Sequence, residues 1–119
     1  MEKREIGALG EDIAARFLRS KGYRILERNY SCRFGEADLI VKGSGYLVFV
    51  EVKLRKDSRF AEAREFVDRK KQEKIKRTAQ YYLMKHDSDL PVRFDVIEVY
   101  AAQGRGADPL IEHIEDAFQ

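Results

Sequence analysis

Two apolar strands around a Gly-rich turn fix the centre of this chain, and both carry charge. Gly35-Glu36-Ala37-Asp38-Leu39-Ile40-Val41 leads through Lys42-Gly43-Ser44-Gly45 into Tyr46-Leu47-Val48-Phe49-Val50-Glu51-Val52-Lys53. Val48-Phe49-Val50 would be apolar on both faces of a strand, which predicts a central place in a covered sheet. Asp38, Glu51 and Lys53 interrupt these strands. Burying them costs several kcal/mol unless each charge is paired or bound to a metal.

The turn sets the register. A two-residue loop at Ser44-Gly45 pairs Gly43 with Tyr46. Counting back, Asp38 falls opposite Glu51, and Glu36 opposite Lys53. Opposed residues share a face of the sheet, as do Glu51 and Lys53, two apart in one strand. A slip of one residue would disperse the cluster. Two readings stand side by side. Lys53 could form an ion pair with Glu36 across the hairpin or with Glu51 along its own strand. Alternatively, Asp38 and Glu51, helped by the carbonyl of Val52, could hold Mg²⁺ (or Mn²⁺) at a nuclease site, with Lys53 orienting water or stabilising charge on a phosphate.

The rest of the chain narrows the setting. Its 119 residues make a single domain, 44% hydrophobic and 37% charged, large enough to bury a core without staples. One cysteine, Cys32, excludes an intrachain disulfide and argues against a cysteine-based zinc site. Glu-Lys-Arg-Glu after Met1 is unlike a signal peptide, and no run of about 18 apolar residues suggests a membrane span. A cytoplasmic location is the expectation. The net charge of +2 hides an asymmetry: residues 52–77 carry 11 Lys/Arg against 5 Asp/Glu, and residues 78–119 carry 3 against 8. A basic block following an acidic, metal-capable hairpin suits a phosphodiester substrate, although such a block is also what a solvated helix face looks like.

Periodicity supplies the other elements. A helix is predicted over about residues 5–21, with Ile6, Leu9, Ile13 and Phe17 as its apolar stripe and Gly22 as its stop. Strands follow at 23–30, at an edge, and at 36–42 and 46–54. Residues 55–66 show no period and read as a loop or short helix. A second helix runs from about Val67 to Lys85, with Val67, Ile75, Ala79, Tyr82 and Leu83 to one side. A strand at 92–101 and a short one from Leu110 to Ile114 complete the order αβββαββ, a mixed α/β sheet with helices packed on it.

Further candidates lie on these elements. Glu11 flanks the first helix's stripe, where it could reach the sheet edge or remain a boundary glutamate. Lys71, four residues from both Val67 and Ile75, falls on the inward side of the second helix, with Gln72 beside it. It could snorkel outward or point at a phosphate. Arg55, Lys56 and Arg59 could contact backbone phosphates or simply be solvated. His86 and His113 lack the spacing of a zinc pair, and Cys32 has no base beside it, so a buried or inert thiol is expected. Asp95 shares parity with Arg93 in a strand, which predicts an internal ion pair.

Taken together, Gly10-Glu11-Asp12-Ile13-Ala14, Arg28-Asn29-Tyr30, Gly35-Glu36-Ala37-Asp38-Leu39-Ile40, Phe49-Val50-Glu51-Val52-Lys53-Leu54-Arg55 and Arg93-Phe94-Asp95-Val96 resemble the PD-(D/E)xK nuclease superfamily. Within it they look closely like the YraN family of small bacterial predicted endonucleases. Archaeal Holliday-junction resolvases share the layout. The resemblance implies a restriction-endonuclease-like αβββαβ core, with Asp38, Glu51 and Lys53 in the catalytic positions and Glu11 in that of the helix glutamate. Lys71 and Gln72 match a Lys-Gln pair of these relatives. Ala37 stands where the superfamily's name has proline, a departure common in the group.

The expected function is therefore metal-dependent hydrolysis of DNA, including branched or repair-intermediate DNA, with RNA as another substrate class. A homodimer would suit a symmetric substrate. The alternatives are a catalytically silent nucleic-acid-binding module, or an adaptor that docks a basic partner on the acidic residues 78–119.

Overall fold

The computed structural model describes residues 3–55, 67–100 and 110–119, with side chains from Leu9 onward. The elements are α1 (Lys3–Ser20), β1 (Arg24–Cys32), β2 (Gly35–Gly43), β3 (Tyr46–Arg55), α2 (Arg69–Lys85), β4 (Val92–Tyr100) and β5 (Leu110–Phe118). The strands form one sheet in the order β1-β2-β3-β4-β5. Every neighbouring pair is antiparallel except β3 and β4, which are parallel. A parallel pair needs a crossover, and α2 lies in that connection. This is an α/β fold with a five-stranded mixed sheet and two helices, consistent with a restriction-endonuclease-like core. Among the described residues no helix is long and apolar enough to cross a membrane.

Each helix covers one face. Ala14, Ala15 and Leu18 of α1 are buried against Leu39, Val41, Val48, Val50, Ile97 and Val99. Ile75, Ala79 and Tyr82 of α2 are buried against Ala37, Ile40, Leu47, Phe49 and Val96 on the other face. The expected α1 stripe is rotated: Leu9 is 47% exposed, and the buried line runs through two alanines. Small residues there let the helix lie close on the sheet, with larger Ile13 and Phe17 at its flanks. Helix α2 starts at Arg69 because the Asp68 side chain accepts a 2.8 Å hydrogen bond from the Lys71 N–H as its N-cap. At the end of α1, Gly22 takes φ +93° and the Tyr23 N–H returns to the Leu18 carbonyl, the bond pattern that stops a helix at glycine.

The β2–β3 hairpin has the expected register. Ser44 and Gly45 take φ of 54° and 83°, as a two-residue hairpin turn with both residues left-handed requires, and Gly43 pairs with Tyr46. β5 extends four residues beyond its expected end, through Phe118. Its register shifts between Phe94 and Val96 of β4, near Asp116 at φ 52°. This irregularity breaks the alternation by which a strand is read from sequence. Beneath it lies the predicted ion pair. Arg93 donates to both oxygens of Asp95, at 2.9 and 2.8 Å, and to the Tyr23 hydroxyl, while His113 Nε2 stands 2.7 Å from Asp95.

Candidate active site

The β2–β3 ladder runs from Gly43↔Tyr46 to Leu39↔Val50 and stops one pair short of Asp38 and Glu51. The strands part there. Leu39 packs on the α1 side, yet Ala37, two residues before it, packs on the α2 side, so β2 rolls about its axis at Asp38. On the other flank, Asn29 of β1 takes φ 52° in the step between Arg28↔Leu39 and Tyr30↔Ala37, across from Asp38. The roll turns the Asp38 carboxylate into the gap, where it accepts a 2.8 Å hydrogen bond from the Val52 N–H. A side chain takes over where main-chain pairing ends. The anticipated pairing of Asp38 opposite Glu51 is thus replaced by a bond one residue further along β3. The anticipated pairing of Glu36 with Lys53 gives way to Glu36 opposite Ser31 in the β1–β2 ladder.

Glu51 is buried at 5% exposure. Two lysines reach its Oε1: Lys53 Nζ at 3.7 Å from the same strand, and Lys71 Nζ in direct contact from the first turn of α2. This is the compensation that an apolar strand carrying charge demands, made along β3 by Lys53 and, more closely, by the helix lysine Lys71. Burial first, then the charge of Glu51, pushes the Asp38 carboxyl up to about 7, against the opposing Val52 hydrogen bond. Glu11 of α1 adds repulsion and Lys71 offsets part of it. Asp38 therefore senses Glu51 of β3, Glu11 of α1 and Lys71 of α2.

The two lysines are driven apart. Burial, and then the neighbouring ammonium of Lys71, lower Lys53 below the usual lysine range. Burial also works against Lys71, but its bonds to Glu51 and Lys53 outweigh it and hold its pKa above the usual value. Lys53 thus gives up its proton more readily than Lys71.

Other expected residues have different employment. Arg55 Nε stands 3.2 Å from Glu98, a fully buried carboxylate on β4 that also accepts from the Tyr100 hydroxyl at 3.1 Å. Gln72 donates its side-chain amide to the Val67 carbonyl at 2.8 Å and so ties α2 to the segment before it. Lys56 and Arg59 lie outside the described residues. Glu98 escaped sequence reading because its partner is fixed by the parallel β3–β4 register, which sets Lys53 beside Glu98.

Asp38, Glu51 and Lys53 cluster at the C-terminal end of β3, beside the parallel strand β4, with Glu11 and Lys71 brought in from the two helices. Open α/β sheets present ligand sites at the carboxyl ends of their parallel strands. Among the described residues no group of three or more His, Cys, Asp or Glu side chains could by itself hold a metal ion. Two carboxylates do fit Mg²⁺, a hard ion that is commonly held by one or two carboxylates and keeps water and phosphate oxygens in its other positions. The repulsion that raises Asp38 is what such an ion would relieve.

The family model described as uncharacterised protein family UPF0102 matches residues 10–99. A UPF0102 protein of Clostridioides difficile is 44% identical over 119 residues, covering 99% of this chain and all of the relative. Others from Thermodesulfovibrio yellowstonii and Caldanaerobacter subterraneus are each 42% identical, covering 99% of this chain and 99% and 98% of the relatives. The matched span contains Glu11, Asp38, Glu51, Lys53 and Lys71, and the chain belongs to UPF0102, the YraN-like family.

Proposed function

We propose that the protein is a divalent-metal-dependent nuclease of the PD-(D/E)xK type that hydrolyses DNA phosphodiester bonds, with Asp38 and Glu51 as the metal-holding pair. The observation that carries this reading is the convergence of two carboxylates and two oppositely tuned lysines at one strand end. When bound there, Mg²⁺ (or Mn²⁺) would supply charge stabilisation at the scissile phosphate. Lys53, its ammonium destabilised, accepts a proton from the attacking water at Nζ. Lys71 stays charged and stabilises the negative charge that builds on the phosphate. Glu11 contributes negative charge on the α1 side of Asp38.

The test is incubation with single-stranded, duplex and four-way-junction DNA, and with RNA, in Mg²⁺ or Mn²⁺. Cleavage that needs the metal and is lost in Asp38→Asn and Glu51→Gln is the expected result. Cleavage surviving both substitutions would place the chemistry elsewhere.

One observation favours a second reading. Lys53 and Lys71 already compensate Glu51 without a metal, as a catalytically silent nucleic-acid-binding module would require. That reading predicts salt-sensitive DNA binding with no turnover, unaffected by Asp38→Asn.

A further inference from the structure

A cleft of about 510 Å³ opens between the β1–β2 turn and the first half of α2. One wall is formed by Cys32 and Gly35, and the other by Lys70, Lys71 and Lys74. Gly35, at φ +152°, permits this close approach: a Cβ there would lie 3.3 Å from Lys74 Cβ and from Thr78 Oγ1. Lys71 belongs both to the cleft and to the Glu51 site, so the two are continuous. Lys70 and Lys74 are exposed and, unlike Lys53, Lys71 and Lys76, have no carboxylate partner among the described residues. Four residues of helix separate them by about 6 Å along α2, near the spacing of successive phosphates in one strand. Among the described residues the carboxylates at the cleft are Asp68, whose side chain is committed to the α2 N-cap, and Glu36.

We infer that this cleft is a track for the DNA backbone on one side of the scissile bond, with Lys70 and Lys74 holding the flanking phosphates. The inference rests on the nuclease reading for the identity of the central phosphate, and its own evidence is the cleft and its two exposed lysines, which have no carboxylate partner among the described residues. Phosphate contacts of this kind position a strand without reading its sequence. One DNA strand therefore runs along α2 from Lys71 towards Lys74, past Cys32.

The cysteine makes the track measurable, because it is the only one in the chain and lines the cleft half-buried, not fully buried as expected. Alkylation of Cys32 by N-ethylmaleimide is followed on the full-length protein in EDTA and low salt, with a single-stranded oligodeoxynucleotide and with the same sequence as duplex. Saturating DNA should slow the reaction about fivefold or more, since mass action leaves little free protein. Lys70→Ala with Lys74→Ala changes two exposed residues. It should lessen the salt dependence of binding, the slope of log K against log salt falling in magnitude by about 1.4 for single strands or about 1.8 for duplex. Protection by one form of DNA identifies the form that enters the cleft. Bound DNA that leaves both the alkylation rate and the salt slope unchanged overturns the track, as does failure of both DNA forms to bind. Because EDTA prevents metal-dependent turnover, a track that passes this test while the cleavage assay fails would remove the nuclease reading and keep the binding site.

Discussion

The Asp38 carboxylate accepts its hydrogen bond from the Val52 N–H at the point where the β2–β3 ladder ends. A main-chain donor holds the carboxyl in place, while burial and Glu51 raise its pKa to about 7. A group fixed by one interaction and strained electrostatically by others is poised to gain from a cation.

The pH dependence of stability reports this directly. In EDTA, between the ordinary value of 3.8 and about 7, the folded chain retains a proton at Asp38 that the unfolded chain has released. Stability from this group is complete below about pH 4 and is lost as pH rises through about 7. At about 1.4 kcal/mol per unit the loss is a few kcal/mol at most. The fall in Tm from pH 4.5 to 8 should be smaller in Asp38→Asn than in the wild type. Added Mg²⁺ should raise Tm at pH 8 in the wild type alone.

Lys71 and a metal would compete for Glu51. Lys71→Met should therefore bind Mg²⁺ about threefold to tenfold more tightly in calorimetry, the value of one partly exposed ion pair. It should also lower the cleavage rate by about tenfold or more, because charge stabilisation at the phosphate is lost. Unchanged Mg²⁺ affinity would show that the lysine and the metal do not share the carboxylate.

Glu98 should behave as a supporting residue. Glu98→Ala strips Arg55 and Tyr100 of a buried acceptor and should cost about 2 kcal/mol in urea unfolding, with Arg55 recovering part of its solvation. Glu98→Gln keeps an acceptor oxygen and should cost less. A larger loss for Gln than for Ala would remove this account.

The Arg93–Asp95–His113 cluster is the fold's acid-sensitive element. Burial works to raise Asp95, but hydrogen bonds from His113, Arg93 and the Asp116 N–H outweigh it and hold the carboxyl below the usual range. Its stabilisation is present above about pH 4 and is lost as pH falls through its lowered folded value. Asp95→Asn leaves buried Arg93 with only the exposed Glu115, 3.9 Å away, as counter-ion and should cost about 3 kcal/mol at pH 7, measured by denaturant unfolding.

What could be read in advance followed from period and punctuation. Val48-Phe49-Val50 identified the central strand, because an uninterrupted apolar run has no solvent face. Ser44-Gly45 fixed the hairpin register, and the register in turn brought Asp38 near Glu51 and Lys53. Lys71 was visible as a lysine on a helix's inward side. The roll of β2 at Asp38 was not visible, because no local pattern in β2 records it or the left-handed Asn29 that lies across from it in the neighbouring strand. Nor was Glu98: its role depends on which strands lie parallel, a choice made by the crossover and absent from any local pattern. The α1 stripe was misjudged because residue size predicts burial poorly where a helix lies close enough to need alanine.

The single parallel pairing also orders events in time. Asp38 and Glu51 belong to a hairpin whose contacts are local, and local contacts generally form before distant ones. Lys71 reaches Glu51 only after the chain has passed over the sheet and α2 has docked. During folding, the acidic pair precedes its helix-borne cation. The contact between Lys71 and Glu51 is therefore a marker of maturity: it requires the first turn of α2 to have docked beside β3.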